Sequence, residues 1–200
     1  NPSLYNGIKV FTRGGRDANE EQTKDIEKYL KKVEDFVAEG GIIERADYDQ
    51  AVAEGMVIEF NPLNEYLDNI IERIDMEAIK HSGLFVAVDP MFGVSLTSLK
   101  TILAIARCDM DFIHTEHDTL FGRKLPAPTE HTLKELQGYV AEHGCDLGIA
   151  TDGDADRLGV IDDEGKYLHP NDILVLLYYY LIRYKGWKGP VVRNIATTHM

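Results

Sequence analysis

Leu84-Phe85-Val86-Ala87-Val88-Asp89-Pro90 decides how the rest of the chain is read. Five consecutive apolar positions stopped by Asp-Pro are too short for a helix that must bury a stripe. Their length and content suit a strand buried on both faces. Working outward, Ser95 to Ala106 has helical spacing, Met110 to His114 reads as a strand, and Thr129 to His143 as a helix. Leu147 to Thr151 is a further buried strand. Gly159 to Asp162 and Lys166 to Leu168 bracket an Asp163-Glu164-Gly165 turn and read as a hairpin. Pro170 to Tyr184 is an apolar helix stopped by Gly186, and Val191 to Asn194 reads as one more strand. Strands alternating with helices over short links predict an α/β fold, mixed sheets with helices packed on them.

Upstream the pattern is different. Tyr5-Asn6-Gly7 reads as a tight turn feeding a strand through Phe11, since Asn-Gly readily takes positive φ. Ile26, Tyr29, Leu30, Val33, Phe36 and Val37 recur at helical spacing from Glu20 to Ala38, and Gly40-Gly41 ends the run. Gly41 to Phe60 is acidic and weakly periodic, which predicts a loop-rich connection with one short strand. Asn61-Pro62 breaks the chain and starts a helix over Leu63 to His81, ended by Ser82-Gly83. That break is the candidate domain boundary.

Lys+Arg total 21 against 34 Asp+Glu, a formal charge of −13. This balance argues against a surface that tracks nucleic-acid phosphates, which needs an excess of cations. The longest apolar run, Ile173 to Ile182, falls short of the roughly 20 residues of a membrane span and carries three tyrosines. Cys108 and Cys145 make no disulfide framework, and a reducing, cytoplasmic compartment is the expectation.

The sharpest chemical feature is Thr151-Asp152-Gly153-Asp154-Ala155-Asp156-Arg157. Carboxylates at i, i+2 and i+4 repel one another unless a cation neutralises them, and the small Gly153 and Ala155 let the backbone curl. Oxygen ligands without neighbouring Cys or His favour Mg²⁺, with Ca²⁺ or Mn²⁺ behind it. Arg157 beside the metal suits a phosphate oxygen. An EF-hand would place a helix before the loop and Gly at its sixth position; here a strand precedes and Arg157 is sixth. An aspartyl phosphatase would place Thr where Leu158 stands. His114 and His117 have no third ligand nearby and read as polar loop residues. Arg13-Gly14-Gly15-Arg16 fits no phosphate-loop pattern. Tyr178-Tyr179-Tyr180 reads as packing.

These residues resemble the α-D-phosphohexomutases, the family of phosphoglucomutase and phosphomannomutase. Asp152-Gly153-Asp154-Ala155-Asp156-Arg157 after a strand is similar to that family's magnesium loop. Asn1-Pro2-Ser3-Leu4-Tyr5-Asn6-Gly7-Ile8-Lys9-Val10 is similar to the segment that begins within its Ser-His-Asn-Pro phosphoserine loop. Val88 to Gly93, Asp118 to Arg123 and Ala196 to Met200 match in the same order, whereas residues 40–60 match nothing.

The resemblance implies phosphohexomutase-type domains. Residues 1–62 would be the C-terminal part of domain 1, 63–168 domain 2 with the metal loop, and 169–200 the start of domain 3. It implies a transfer of phosphate between the 1- and 6-positions of a hexose through a phosphoserine. Asp152, Asp154 and Asp156 would bind Mg²⁺, Arg157 would bind phosphate oxygens, and Lys9 would act as general acid or base. Asn1 would belong to the phosphoserine loop. The partners implied are a phosphorylated hexose, glucose or mannose phosphate, and the hexose 1,6-bisphosphate intermediate, with no nucleic acid and no membrane. This chain alone would carry the metal site and little activity. An amino-sugar phosphate mutase is the alternative within the class, and a non-catalytic divalent-metal-binding α/β module the alternative outside it.

Overall fold

The computed structural model describes residues 8–194 and Thr197. The chain divides into two compact units, with the division between Pro62 and Leu63. In the first, β1 (Phe11–Thr12) and β2 (Arg16–Asp17) pair antiparallel. Gly14 and Gly15 make the turn at positive φ, so the Arg-Gly-Gly-Arg segment is a hairpin end. The strand expected through Phe11 is thus two residues long, and Lys9 precedes it; the Tyr5-Asn6-Gly7 turn lies outside the described residues.

Helix α1 (Glu20–Ala38) starts at a reciprocal cap, Asn19 accepting from the Gln22 N–H while the Gln22 side chain accepts from the Asn19 N–H. Residues 41–60 hold a short helix, α2 (Tyr48–Ala53), and no strand among the described residues, contrary to the sequence reading. Asp47 caps it through the Gln50 N–H, and Ala51 is its buried residue.

From Leu63 onward the unit opens with α3 (Leu63–Ile71) and α4 (Met76–Ser82), two helices where the sequence predicted one. Asp75 starts the second by accepting from the Ala78 N–H, and Gly83 ends it in the left-handed conformation. The sheet is built from β3 (Phe85–Asp89), β4 (Asp109–Phe112), β5 (Leu147–Thr151), β6 (Leu158–Ile161) and β7 (Tyr167–Leu168). Helix α5 (Leu96–Ile105) connects β3 to β4, and α6 (Lys134–His143) lies between β4 and β5. The spatial order is β4-β3-β5-β6-β7, with β3 parallel to both β4 and β5 and the remaining pairs antiparallel.

Alternation along β3 sends its side chains to two cores. Val86 and Val88 join Met76, Leu103, Ala106 and Cys108 on the α4–α5 face. Ala87 joins Leu133, Leu136, Val140, Cys145, Ala150 and Ile161 on the α6 face. Helices therefore cover both faces of the sheet, as its two parallel β3 ladders require.

Three boundaries moved. Thr129 to Leu133 is a turn closed by hydrogen bonds between Thr129 and Thr132, so α6 begins later than predicted. The strand expected to reach His114 ends at Phe112. Residues 191–194 form no strand, and Val192 is 96% exposed. The last helix, α7 (Pro170–Arg183), has His169 as cap and Pro170 in its first turn, yet buries none of its residues.

Candidate metal centre

Strand β5 delivers Thr151 to the C-terminal edge of the sheet, where ligands of open α/β sheets bind. The following loop curls because Asp152 holds both of its ends. One Asp152 oxygen accepts the Arg157 backbone N–H at 3.0 Å and the other accepts Arg157 Nε at 2.7 Å. The Ala155 N–H donates to the Asp152 carbonyl at 3.1 Å, with Ala155 itself at φ 62°. This curl brings one carboxylate oxygen from each of Asp152, Asp154 and Asp156 within 4.8 Å of the others. Asp152 is buried at the base; Asp154 and Asp156 are exposed. Burial pushes the Asp152 carboxyl up, but the Arg157 N–H and guanidinium outweigh it and hold the group below the usual carboxylate range.

The donor set fits a hard divalent cation. All three candidate donors are carboxylates, and a carboxylate offers about four lone-pair sites, so two bonds from Arg157 leave Asp152 with acceptor capacity. Arg157 commits Nε to Asp152, and its side chain is about half exposed. Its terminal N–H groups have the fork geometry that suits a phosphate.

The loop rests on two neighbours. The Val94 N–H donates to the Gly153 carbonyl at 3.1 Å, and Ser95 Oγ and Thr151 Oγ1 share a buried hydrogen bond of 2.7 Å. A Cβ on Gly93 would lie 2.6 Å from that same carbonyl oxygen, so the backbones touch there. On the other side a Cβ on Gly153 would meet the Phe121 ring at 3.0 Å. The Phe121 loop is shaped by Asp118, which accepts from the Leu120 and Gly122 N–H groups; these bonds hold its carboxyl below the usual range.

Of the seven described non-glycine residues at positive φ, six lie in these loops: Met91, Phe92, His114, Phe121, Arg123 and Ala155. Strain of about 1–3 kcal/mol per residue persists only where the surroundings over-determine it.

The pattern described as phosphoglucomutase/phosphomannomutase, alpha/beta/alpha domain II, matches residues 64–165, which hold strands β3 to β6, the acidic loop and both of its supporting loops. The chain belongs to the phosphoglucomutase/phosphomannomutase family. A phosphoglucomutase/phosphomannomutase of Thermococcus kodakarensis is 30% identical over the whole of this chain, which covers 41% of that protein. A probable phosphoglucosamine mutase of Pyrococcus furiosus is 32% identical over 98% of the chain, covering 39% of its own length. The chain thus spans about two fifths of the curated relatives it matches. The crystal structure of a putative phosphomannomutase from Thermus thermophilus superposes with a TM-score of 0.65 at 27% identity, over 70% of this chain and 32% of that one.

Within this member of the family, Asp152, Asp154, Asp156 and Arg157 share one loop. Lys9 is exposed and belongs to the other compact unit, and Asn1 lies outside the described residues, as does most of the Ala196 to Met200 match.

His114 lies in a loop after β4, as its reading as a polar loop residue predicts, and its contact with Asp89 was not foreseen. Asp89 is 2% exposed, and one of its oxygens lies 3.0 Å from His114 Nδ1. His114 Nε2 lies 3.2 Å from Glu135 Oε2, which Lys124 approaches at 3.7 Å. Burial pushes the Asp89 carboxyl above the usual carboxylate range, against the pull of the Met91 N–H and His114. The available signal was an aspartate closing a strand buried on both faces.

Proposed function

We propose that this chain is the metal-loop portion of a magnesium-dependent phosphohexomutase, which moves phosphate between the 1- and 6-positions of a hexose through a phosphoserine. The observation that carries the reading is the convergence of three carboxylate oxygens within 4.8 Å at the sheet edge of a family domain. Asp152, Asp154 and Asp156 would hold Mg²⁺, and a divalent cation there supplies neutralisation of phosphate charge during transfer. Arg157 binds and orients phosphate oxygens through its guanidinium. Its Nε bond to Asp152 fixes the head against the loop, so less side-chain freedom is lost when phosphate arrives. Lys9 exchanges a proton with the hexose hydroxyl as general acid or base. Asn1 belongs to the segment around the phosphoserine.

We also propose that residues 1–62 close a first domain, 63–168 form the second, and 169–200 open a third. Supporting this, α7 is apolar around its circumference yet buries no residue, the pattern of a helix that is covered in a larger assembly. The activity would therefore belong to the longer protein and not to this chain alone.

The second reading, a mutase of amino-sugar phosphates, is favoured by relatives named as probable phosphoglucosamine mutases. A coupled assay on the intact protein with Mg²⁺ and catalytic sugar bisphosphate separates the two. Faster conversion of glucose or mannose 1-phosphate supports the hexose reading, and faster conversion of glucosamine 1-phosphate the amino-sugar reading. Turnover of neither by a folded, phosphorylated protein would overturn both.

A further inference from the structure

We propose that Asp89 and His114 are positioning residues that set the conformation of the metal loop from outside it. The part concerning a cation rests on the reading of Asp152, Asp154 and Asp156 as a metal site. Asp89, at the end of β3, divides its carboxylate between two tasks. One oxygen accepts the Met91 N–H at 2.8 Å and the other meets His114 Nδ1 at 3.0 Å. His114 in turn accepts the Phe92 N–H on its carbonyl at 3.1 Å, and its ring packs against Phe92 with centroids 4.8 Å apart. Its second ring nitrogen reaches Glu135 on α6. Two chain segments and a helix are tied to the single turn that runs from Pro90 to Ser95.

That turn holds Met91 and Phe92 at φ 48° and 61°, which neither residue type adopts unaided. From it two routes converge on Gly153. Gly93 packs against the Gly153 backbone, and Val94 donates to its carbonyl. By the other route the Phe92 ring lies against Gly122, where a Cβ would sit 2.8 Å from it, and the adjacent Phe121 covers Gly153. Gly153 separates Asp152 from Asp154, so its backbone angles set the spread of the first two carboxylates.

Stability alone does not account for the pair. A buried carboxylate is costly to desolvate, and an apolar residue of similar volume generally serves a core at least as well. Outer residues that orient ligands typically change metal affinity by about 10–100-fold when removed. Asp89 and His114 would act through the turn they hold, whose Gly93 and Val94 meet Gly153.

The test uses the whole 200-residue chain, ¹⁵N-labelled, as wild type, Asp89→Ala, Asp89→Asn, His114→Phe and Asp111→Asn. Asp111 lies on the same strand as the approach to His114 but bonds Tyr139, and serves as control. In metal-free protein, the Gly153 and Arg157 amide signals should move in Asp89→Ala and His114→Phe. They should return towards wild type in Asp89→Asn, which keeps an acceptor for Met91 and a polar partner for His114, and stay in place in Asp111→Asn. Mn²⁺ titration should then show affinity reduced about tenfold or more in the first two variants. Unmoved Gly153 and Arg157 amides in either folded variant would overturn the proposal, even if the variant melts earlier. If Asp89→Ala does not fold, His114→Phe decides, since it keeps the ring packing on Phe92. Absence of Mn²⁺ binding in wild type would instead overturn the cation reading, while the metal-free amide shifts still decide the coupling.

Discussion

Replacing Gly93 by alanine puts one methyl group into the contact between the turn after β3 and the acidic loop. Its Cβ would lie 2.6 Å from the Gly153 oxygen and 2.8 Å from both Gly153 Cα and the Pro90 oxygen. All three neighbours are backbone, so no side chain can rotate away. Reaching 3.4 Å, the near edge of ordinary contact, requires the Gly153 oxygen to retreat by about 0.8 Å. That motion breaks the 3.1 Å bond from Val94 and costs about 0.5–1.5 kcal/mol. Overpacking adds about 1–3 kcal/mol, offset by some 0.4–1 kcal/mol because alanine restricts the unfolded chain. The net expectation is a loss of about 0.5–4 kcal/mol, centred near 2. With a urea slope near 2 kcal/mol/M, the centre of that range lowers the midpoint by about 1 M. The chain has two units, so the melt should be followed at the Val94 and Gly153 amides, which report this site alone. Gly138→Ala, in α6 with nothing within 4 Å of the new Cβ, should stabilise by about 0.5–1 kcal/mol. A Gly93→Ala midpoint within about 0.2 M of wild type would show that the two backbones are not in steric contact.

Three other outcomes are expected. Leu136→Ala opens a fully buried site on the α6 face and should destabilise this unit by about 2–5 kcal/mol in the same urea experiment. Asp118 is held below its usual carboxylate range by the Leu120 and Gly122 N–H groups, so its contribution is present above the unfolded-state pKa and vanishes as pH falls through the lowered folded value. Melts of wild type and Asp118→Ala should therefore differ at neutral pH and converge in acid; a constant gap would contradict the assignment. In the intact enzyme, Lys9→Met should lower turnover about 10²-fold or more with the fold intact, and a change below about threefold would remove Lys9 from proton transfer.

What could be read in advance followed from locality. β3 and β5 were legible because strands buried on both faces are runs of apolar residues with no competing period. The break between α3 and α4 was hidden because apolar residues continue across Ile74, and only the Asp75 side chain on the Ala78 N–H restarts the helix. Helix α2 lacks an apolar stripe, burying only Ala51, and its start signal was a single aspartate. Residues 191–194 have strand content, but a strand also needs a partner ladder, which content does not reveal. The acidic loop stood out because its carboxylates lie within five consecutive residues. Asp89 and His114 are 25 positions apart, and only the parallel pairing of β3 with β4 brings those strand ends together.

Whether Asp152, Asp154 and Asp156 hold a divalent cation is decided by calorimetric titration of the chain with Mn²⁺ and Mg²⁺, wild type beside Asp154→Asn. Asp154 is exposed, so its amide variant should keep the fold while removing one of three charged ligands. Wild type should show a single site that is lost, or weakened at least about tenfold, in Asp154→Asn. Equal binding by the two proteins, or none by the wild type, would contradict the metal assignment.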